Sequence, residues 1–263
     1  MQTLVVIPTY NEAENVGAMI AAVTGVSADH SVLVVDDASP DGTARLASEA
    51  AARSDGRVAV LRRERRLGLG SAYRDGLAQG LSLGRHGALF VMDCDFSHDP
   101  SAIPALAARL SDTPMVVGSR YVAGGRIEGW GPHRHLLSRL ANACARALLR
   151  LPVRDCTSGF MGFRRDALLG LDLAAGTAEG YAAPIELKWL ATLGGLAIAE
   201  APIVFRDRER GRSKLDARHL ADAARGVFRI WRASASAPVS AGRPTGPAGG
   251  TPPPSTPGHR PPP

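Results

Sequence analysis

The sequence predicts an α/β fold in which a mostly parallel central sheet is covered by helices on both faces. Short, continuous apolar segments rich in β-branched residues alternate with helical segments through the first half of the chain. Strands of this kind are buried on both sides, and their alternation with helices is typical of βαβ units. Each apolar segment also ends in a polar, often acidic loop, and open α/β sheets bind ligands beyond the carboxyl ends of their strands. The expected binding site therefore lies at that edge of the sheet.

The individual elements follow from local residue patterns. Runs of aliphatic and β-branched residues predict strands at residues 4–8, 32–35, 58–61, 88–92, 115–118 and 198–205. Helical patterns predict helices at residues 12–23, 43–53, 68–84, 136–149 and 218–232. The second helix follows the turn sequence Ser39-Pro40-Asp41-Gly42. We expect Asp41 to serve that turn or the helix start rather than a ligand.

Composition separates a folded domain from a C-terminal tail. Of the 263 residues, 45% are hydrophobic, which supports a sizeable core and excludes a wholly disordered chain, a collagen or a disulfide scaffold. Residues 233–263 differ, because they contain 10 of the 19 prolines and no acidic residue. Such a segment buries too little apolar surface to offset its ordering entropy. We therefore expect a disordered Pro-rich tail after a folding unit of residues 1–232.

Charge narrows the class of partner. The formal charge of +6 raises nucleic-acid binding as an alternative, but no stripe of Lys and Arg interleaved with aromatic residues accompanies it. We expect no nucleic-acid partner, and anionic small molecules and phospholipid surfaces fit the charge better.

Cysteine usage and the start of the chain bear on metal sites and location. The three cysteines form no CxxC or Cys/His cluster, so neither zinc nor a disulfide framework is indicated. The first residues lack the pattern of a signal peptide, and no apolar run approaches the ~18 residues of a membrane span. The sequence therefore predicts a cytoplasmic location.

The sharpest chemical signal is the pair of carboxylates in Asp93-Cys94-Asp95, directly after the fourth predicted strand. Two carboxylates at alternate positions leaving a strand can approach one divalent ion together with the diphosphate that it binds. Oxygen ligands of this kind suit Mg²⁺ or Mn²⁺. The alternative is a solvated acidic turn, because the Asp-x-Asp pattern is common.

A second acidic pair and several cations lie at the ends of other predicted elements. Asp36-Asp37 ends the second strand, where a carboxylate can accept hydrogen bonds from a base or a ribose. A turn role is the alternative for this pair. The cations are Arg120 after the fifth strand, Arg134 with Ser138 one helical turn later, and Arg212 with Lys214 in a late basic loop. If they converge beside the carboxylates, the site holds a metal, a diphosphate and a second anion.

These segments occur in an order that resembles a known family. They are VVIPTYNEAENV, VVDDASPDGT, RRLGLGSAY, MDCDFSHDP, GSRYVAGG, the GW pair followed by Arg134-x3-Ser138, DCTSGFMGFRR, EGY, EAPIVFRDR and GRSKL. Over about residues 3–216 the set resembles the polyprenol-phosphate (dolichol-phosphate) mannosyltransferases of glycosyltransferase family 2. The SHDP, GSRYVxGG, TSGF and SKL pieces are more specific than VIPTYNE and DxD, which occur across family 2. The resemblance implies the GT-A fold, a Rossmann-like glycosyltransferase fold.

The resemblance also implies an activity: metal-dependent transfer of mannose from GDP-mannose to a polyprenyl phosphate, with inversion at the anomeric carbon. The residues implied for the nucleotide sugar are Pro8, Tyr10, Glu12, Asp37, Asp93, Asp95, Arg212 and Lys214. Those implied for the acceptor phosphate are Arg120, Arg134 and Ser138, and those for the metal are Asp93, Asp95 and Ser97. Asp95 and Arg120 are the expected catalytic residues. Because the nucleophile is an anionic phosphate oxygen, no strong general base is needed.

The chain departs from the family pattern at three places. Cys94 stands between the two carboxylates where Ala is usual, and Ser97 stands where some members supply a Gln metal ligand. The pair Ala183-Pro184 replaces an aromatic-Gln pair that usually precedes the position of Glu186.

The implied organisation is a nucleotide-sugar half (about 1–115), an acceptor half (about 116–216) and an amphipathic helix (217–232). On that helix Leu220, Ala224, Val227, Phe228 and Trp231 fall on one side, and four arginines fall on another. We expect this helix to bind the cytoplasmic face of a membrane peripherally. Packing of its apolar side on the domain is the alternative, as is contact through the Trp130 loop or a partner membrane protein.

Two other functions stay open from the sequence. One is a polyprenyl-phosphate glucosyltransferase that uses UDP-glucose, and the other is a non-catalytic nucleotide-sugar-binding protein. Bacterial relatives of the first kind often carry two C-terminal transmembrane helices, which this sequence lacks. The intact set of carboxylates and cations argues against the second.

Overall fold

A computed structural model describes residues 1–207 and 217–236, with the side chains of the second range described at residues 222–233. The strands of the main sheet are β1 (Thr3–Thr9), β2 (His30–Asp36), β3 (Val58–Arg62), β4 (Ala88–Val91), β5 (Met115–Ser119), β7 (Met161–Arg164) and β8 (Ile198–Pro202). A separate two-stranded ribbon pairs β6 (Arg126–Glu128) with β9 (Val204–Arg206). The helices are α1 (Val16–Val26), α2 (Thr43–Ala52), α3 (Leu69–Ser82), α4 (Ile103–Arg109), α5 (Pro132–Leu149), α6 (Arg165–Leu169), α7 (Ala183–Leu193) and α8 (Ala217–Ser236).

The predicted mostly parallel sheet is confirmed. Its strand order is β3-β2-β1-β4-β7-β5-β8, and only β7, which runs antiparallel to both neighbours, breaks the parallel pattern among the described strands. Because β2, β1 and β4 are adjacent and parallel, the acidic loops that follow them meet at one edge. This edge is the setting of the candidate site.

Helices cover both faces of the sheet, as the continuous apolar strands predict. Alternate residues of β1 enter different cores, with Val5 and Ile7 on one side and Leu4 and Val6 on the other. The first core includes side chains of α1, α2 and α4, and the second includes those of α3, α5 and α7. Across the ranges that the structure describes, no helix is both long and apolar enough to cross a lipid bilayer.

Three predicted elements differ clearly from the structure. The helix predicted at residues 12–23 is α1 and begins four residues later, at Val16. The strand predicted at residues 198–205 is two strands, because the chain leaves the main sheet after Pro202 and its next residues pair with β6 instead of β5. Helix α5 begins at Pro132, four residues earlier than predicted. The fixed φ of proline suits the first turn of a helix. The short strand β7 is absent from the prediction because its four residues carry no distinctive alternation.

The predicted turn role of Asp41 is confirmed. Its Oδ1 atom accepts hydrogen bonds from the backbone N–H and the hydroxyl of Thr43, and its Oδ2 atom accepts one from the N–H of Ala13. The Thr43 hydroxyl in turn accepts a hydrogen bond from the N–H of Glu12. Asp41 therefore ties the start of α2 to the loop after β1.

Helix α8 packs on the domain with only part of its predicted apolar side, together with Gly226 and Ile230. Val227 and Ile230 pack against the second core, and Gly226 comes so close to Ala182 that an added Cβ would lie 2.4 Å from the Ala182 Cβ. Phe228 and Trp231 are exposed instead. The predicted apolar side is therefore divided: Val227 packs on the domain, as the packing alternative expects, whereas Phe228 and Trp231 are exposed, as membrane binding requires. The predicted tail starts too early, because residues 233–236 continue α8. Residues 237–263 lie outside the described residues, as does the side chain of Leu220.

Candidate functional site

The two predicted metal-binding carboxylates lie in a tight loop after β4. Oδ1 of Asp95 accepts a hydrogen bond from the backbone N–H of Ser97 at 3.1 Å, which closes the loop. Asp95 is nearly buried, whereas 34% of the Asp93 side chain is exposed. Gly159 packs against Asp93 and Tyr73, and a Cβ there would lie 3.4 Å from Oδ1 of Asp93 and 3.0 Å from the Tyr73 hydroxyl. Asp93, Asp95 and Ser97 therefore lie in one short loop, and their binding of a metal remains a prediction.

The pKa values of Cys94 and Tyr73 indicate a concentration of negative charge around the loop. Burial raises the pKa of the Cys94 thiol well above its ordinary value, and the charges of Glu12, Asp95 and Asp93 raise it further. Burial and the same two aspartates also raise the pKa of Tyr73. Clustered carboxylate oxygens fit a divalent cation such as Mg²⁺ or Mn²⁺. In the described ranges no three acidic, His or Cys side chains form a complete metal site.

His98 joins the carboxylate loop to the rest of the site. Its Nδ1 atom accepts a hydrogen bond from the backbone N–H of Asp93 at 3.3 Å, and its ring packs between those of Phe160 and Phe205. Burial lowers the pKa of His98, against the opposing charges of the nearby aspartates. A neutral imidazole that accepts a backbone hydrogen bond is a structural support of the loop.

Asp37, predicted to bind the nucleotide, holds the loop that precedes α3. Its two carboxylate oxygens accept hydrogen bonds from the backbone N–H groups of Leu67 and Gly68, each at 2.8 Å. Its Oδ1 atom also lies 3.0 Å from Nη1 of Arg63. Direct contact of Asp37 with a nucleotide remains a prediction, and its observed role is to shape the rim beside β2.

The other predicted nucleotide residues line the same edge. Pro8 belongs to β1, and Tyr10 follows that strand with its ring 3.9 Å from the guanidinium carbon of Arg66. Oε2 of Glu12 accepts a hydrogen bond from Nδ2 of Asn15 at 2.9 Å. A planar guanidinium over an aromatic ring is the kind of surface on which a base can stack.

The glycine-rich segment before α3 is explained by a carboxylate from a distant part of the chain. Glu179 accepts hydrogen bonds from the N–H groups of Gly70 (2.8 Å) and Ser71 (3.0 Å) at the start of α3. This placement suits the positive end of the helix dipole. A Cβ at Gly70 would lie 1.9 Å from the Ala178 carbonyl oxygen, so only glycine permits this approach.

Arg120 forms a buried ion pair that the sequence does not predict. Its Nε and Nη2 atoms donate to the two oxygens of Asp155 at 2.8 and 2.7 Å, and its backbone N–H donates to the same carboxylate. The guanidinium also lies within 6 Å of the rings of Tyr121, Trp130 and Phe205. Burial alone would raise the pKa of Asp155, but the charge and hydrogen bonds of Arg120 outweigh it and lower that pKa.

A hydrogen-bond network links this pair to α5. Nη2 of Arg120 also donates to the Thr157 hydroxyl, which accepts a second hydrogen bond from Nδ2 of Asn142. Asn142 Nδ2 donates as well to the carbonyl oxygen of Ser138, and the Ser138 hydroxyl accepts a hydrogen bond from the Tyr121 hydroxyl at 2.7 Å. Arg120 and Ser138 therefore belong to one connected cluster.

Arg134 joins the same cluster through an aromatic ring. Its guanidinium carbon lies 4.1 Å from the centre of a Trp130 ring, and Nη1 donates to Asp207 at 2.9 Å. Within the described ranges, Nε1 of Trp130 is buried and has no hydrogen-bond partner. Arg134 and Ser138 lie four residues apart on one face of α5, as the sequence predicts.

The predicted residues form two neighbouring groups at one edge, since the charge of Asp93 acts on Arg120 and the charges of both aspartates and of Arg120 act on His98. The acidic group is Glu12, Asp93 and Asp95, and the cationic group is Arg120 and Arg134 with Ser138. The predicted ligands Arg212 and Lys214 lie outside the described residues. The sequence did not predict Asp155, because its partner Arg120 lies 35 residues away. It did not predict Asn142, because this residue bonds a backbone carbonyl group and the distant Thr157.

The unusual pair Ala183-Pro184 is compatible with the local helix. These residues begin α7, where proline is tolerated in the first turn. Glu186 accepts hydrogen bonds from the backbone N–H groups of Thr177 and Ala178 at 2.9 and 2.8 Å. Its role in the structure is to hold the segment that precedes Glu179.

Comparisons with known proteins agree with this arrangement. The model of the family described as Glycosyl transferase family 2 matches residues 4–170. A polyprenol monophosphomannose synthase of Mycolicibacterium smegmatis is 40% identical over 223 residues, which is 84% of this chain and 84% of that protein. An undecaprenyl-phosphate mannosyltransferase of Micrococcus luteus is 37% identical over 229 residues, which is 87% of this chain and 93% of that protein.

A solved structure is similar in fold. Glucosyl-3-phosphoglycerate synthase from Mycobacterium tuberculosis, in complex with Mn²⁺, UDP and glucosyl-3-phosphoglycerate, has a TM-score of 0.64 at 23% identity. The similarity covers 91% of this chain and 81% of that one. At this identity the likeness concerns the fold alone.

Proposed function

This chain belongs to glycosyltransferase family 2 and has the GT-A fold, and from this premise we propose that it transfers mannose from GDP-mannose to a polyprenyl phosphate with inversion. The observation that carries the proposal is the meeting of an acidic group and a cationic group at one sheet edge. The acidic group suits the metal of a nucleotide sugar, and the cationic group suits the phosphate of an acceptor. The names of the two relatives support mannose and a polyprenyl phosphate as the substrates.

The proposed mechanism is a single displacement. An oxygen of the acceptor phosphate bonds to the anomeric carbon while the bond from that carbon to the GDP β-phosphate oxygen breaks, and the electron pair leaves with GDP. Asp93 and Asp95, with Ser97, would hold a divalent cation, which neutralises the leaving diphosphate when bound. Arg134 and Arg120 orient the acceptor phosphate and screen the repulsion between two anions. The acceptor is already anionic, so no side chain has to remove a proton.

The direct test supplies purified protein with polyprenyl phosphate, Mg²⁺ or Mn²⁺, and either GDP-mannose or UDP-glucose. We expect a lipid-linked mannose from GDP-mannose and at least 10-fold lower kcat/KM with UDP-glucose, a difference of about 1.4 kcal/mol. Preference for UDP-glucose would overturn the assignment of the donor. Tight nucleotide-sugar binding without transfer would instead indicate a binding protein.

The acceptor site makes a separate prediction. Arg134→Ala should raise the acceptor KM about 10- to 100-fold, because it removes a charged hydrogen-bond donor to phosphate, while the donor KM stays within about 2-fold. The assay uses detergent-solubilised acceptor, and Arg109→Ala on the exposed side of α4 is the matched control. Equal rises in both KM values would place Arg134 on the donor side or in the fold.

We also propose that α5 and α8 hold the protein at an anionic membrane. Leu136, Leu140 and Leu148 on α5 are 61, 53 and 45% exposed, and Phe228 and Trp231 are exposed on α8, which contacts α5. α5 contains no acidic residue. Among the side chains that the structure describes, the exposed arginines of the two helices are Arg139, Arg146, Arg225, Arg229 and Arg232. Apolar side chains bordered by cations suit the headgroup layer of anionic lipid.

Binding to liposomes tests this surface. The double variant Leu136→Glu/Leu140→Glu should bind phosphatidylglycerol liposomes at least 10-fold more weakly, because it loses apolar contact and adds two repulsive charges of about 1 kcal/mol each. Leu169→Glu/Leu193→Glu, which alters exposed leucines of α6 and α7, should bind like the wild type. If both double variants bind equally well, contact lies elsewhere or requires a partner membrane protein.

A further inference from the structure

A fully buried lysine lies directly behind the cationic group. Lys188 of α7 is 0% exposed, and its ammonium donates to three backbone carbonyl oxygens, those of Cys156 (3.0 Å), Ser158 (2.7 Å) and Pro184 (3.2 Å). Each of its three protons therefore has an acceptor. Burying an ammonium against neutral carbonyl groups costs desolvation free energy. The hydrogen bonds to the backbone, which a methionine at this position could not make, are what the fold gains.

What Lys188 holds is the segment that orients Arg120. Two of its acceptors belong to Cys156 and Ser158, on either side of Thr157, and Asp155 comes immediately before them. Asp155 and Thr157 accept three of the side-chain hydrogen bonds that Arg120 donates. The ammonium thus fixes the backbone from which both partners of Arg120 project.

We propose that Lys188 is a positioning residue for sugar transfer, whose ammonium holds the 155–158 segment so that Arg120 meets the acceptor phosphate. This inference rests on the proposed function, in which Arg120 binds that phosphate. Lys188 itself touches no reacting atom. It acts through Asp155 and Thr157.

The ionisation of Lys188 makes the inference testable by pH. Burial lowers the pKa of Lys188 to about 8, against the charge of Asp155, which raises it. The other charged or titratable groups that act on it are Cys156, Arg120 and Glu200. Burial raises the pKa of Cys156 to about 11, and the pKa of Asp155 is lowered, so neither changes its ionisation near pH 8. A neutral amine has one proton fewer and leaves one of the three carbonyl groups without its donor.

The first measurement uses the wild type and needs no variant to fold. With GDP-mannose saturating, kcat/KM for the acceptor should fall above pH 8, while the donor KM stays constant to pH 9. A flat acceptor profile from pH 7 to 9 would overturn the inference. Absence of any sugar transfer at pH 7 would overturn the proposed function and this inference with it.

The second measurement compares variants at pH 7. Lys188→Met should lower acceptor kcat/KM by about 10²-fold, the usual effect of a small misplacement, and should abolish the fall above pH 8. Thr157→Val, which leaves Lys188 in place, should also raise the acceptor KM and keep that fall. Leu110→Ala in the other core is the control for lost stability, and it should lower the melting temperature without changing the ratio of the two KM values. Equal losses toward donor and acceptor in Lys188→Met would show a merely structural role.

Discussion

Asp95→Ala should abolish sugar transfer in a protein that stays folded. The expected loss in kcat is about 10³-fold or more, because removing a metal ligand costs several kcal/mol of transition-state stabilisation. The residue lies just beyond β4 beside Asp93, and its Oδ1 atom accepts a hydrogen bond from the Ser97 N–H. Metal-dependent binding of GDP, measured by calorimetry with Mn²⁺, should disappear together with activity.

Two variants separate the charge of Asp95 from its turn. Asp95→Asn keeps an oxygen that can accept the hydrogen bond from the Ser97 N–H, yet it should lose nearly as much activity as Asp95→Ala. Asp112→Ala removes an exposed carboxylate and should behave like the wild type. Near-normal turnover by folded Asp95→Asn would mean that Asp95 closes the loop and does not bind the metal.

The largest effect on stability is expected from Asp155→Ala. This variant leaves Arg120 buried without its carboxylate, and breaking a buried pair in this way typically costs about 3–5 kcal/mol of unfolding free energy. Chemical denaturation by urea gives the measurement. The double variant Arg120→Met/Asp155→Leu should recover much of that stability, because it removes both charges, but it should not recover transfer. A double variant that regains activity would sink the role of Arg120 at the acceptor.

The same pair sets a pH dependence of stability. Because the folded protein holds the pKa of Asp155 below its ordinary value, the unfolded chain takes up that proton first as the pH falls. The stabilisation is complete above the ordinary carboxyl pKa and is lost as the pH falls through the folded value. The acid side of the wild-type stability curve should therefore be steeper than that of Arg120→Met/Asp155→Leu.

Short-range patterns were enough to predict part of the site. Asp93 and Asp95 are recognisable because two carboxylates at alternate positions follow an apolar strand. Arg134 and Ser138 are recognisable because residues four apart share one face of a helix. Parallel strands then bring their carboxyl ends together without further information. These features depend on local periodicity, which a single sequence contains.

Other features depend on contacts between distant segments and were not predictable in this way. Asp155 lies 35 residues from Arg120, and Glu179 lies 109 residues from the Gly70 N–H that it binds. The side of α8 that packs on the domain depends on the shape of the surface near Ala182, so helical spacing alone could not divide Val227 from Phe228. The burial of Lys188 depends on how α7 packs on the rest of the domain, which no local pattern around this residue indicates.

The two opposite faces of α5 bear on how a lipid-linked acceptor could reach the candidate site. Arg134 and Leu136 lie two positions apart, on nearly opposite sides of a helix about 10–12 Å across. If Leu136 and Leu140 lie in the headgroup layer as proposed, the acceptor phosphate has to move only about one helix diameter from that layer to reach Arg134. The prenyl tail can then stay in the bilayer. Withdrawing a single five-carbon unit into water would cost about 4 kcal/mol at ~0.8 kcal/mol per carbon. If the prenyl tail stays in the bilayer during transfer, the protein does not contact its full length, and we expect it to accept polyprenyl phosphates of different chain lengths.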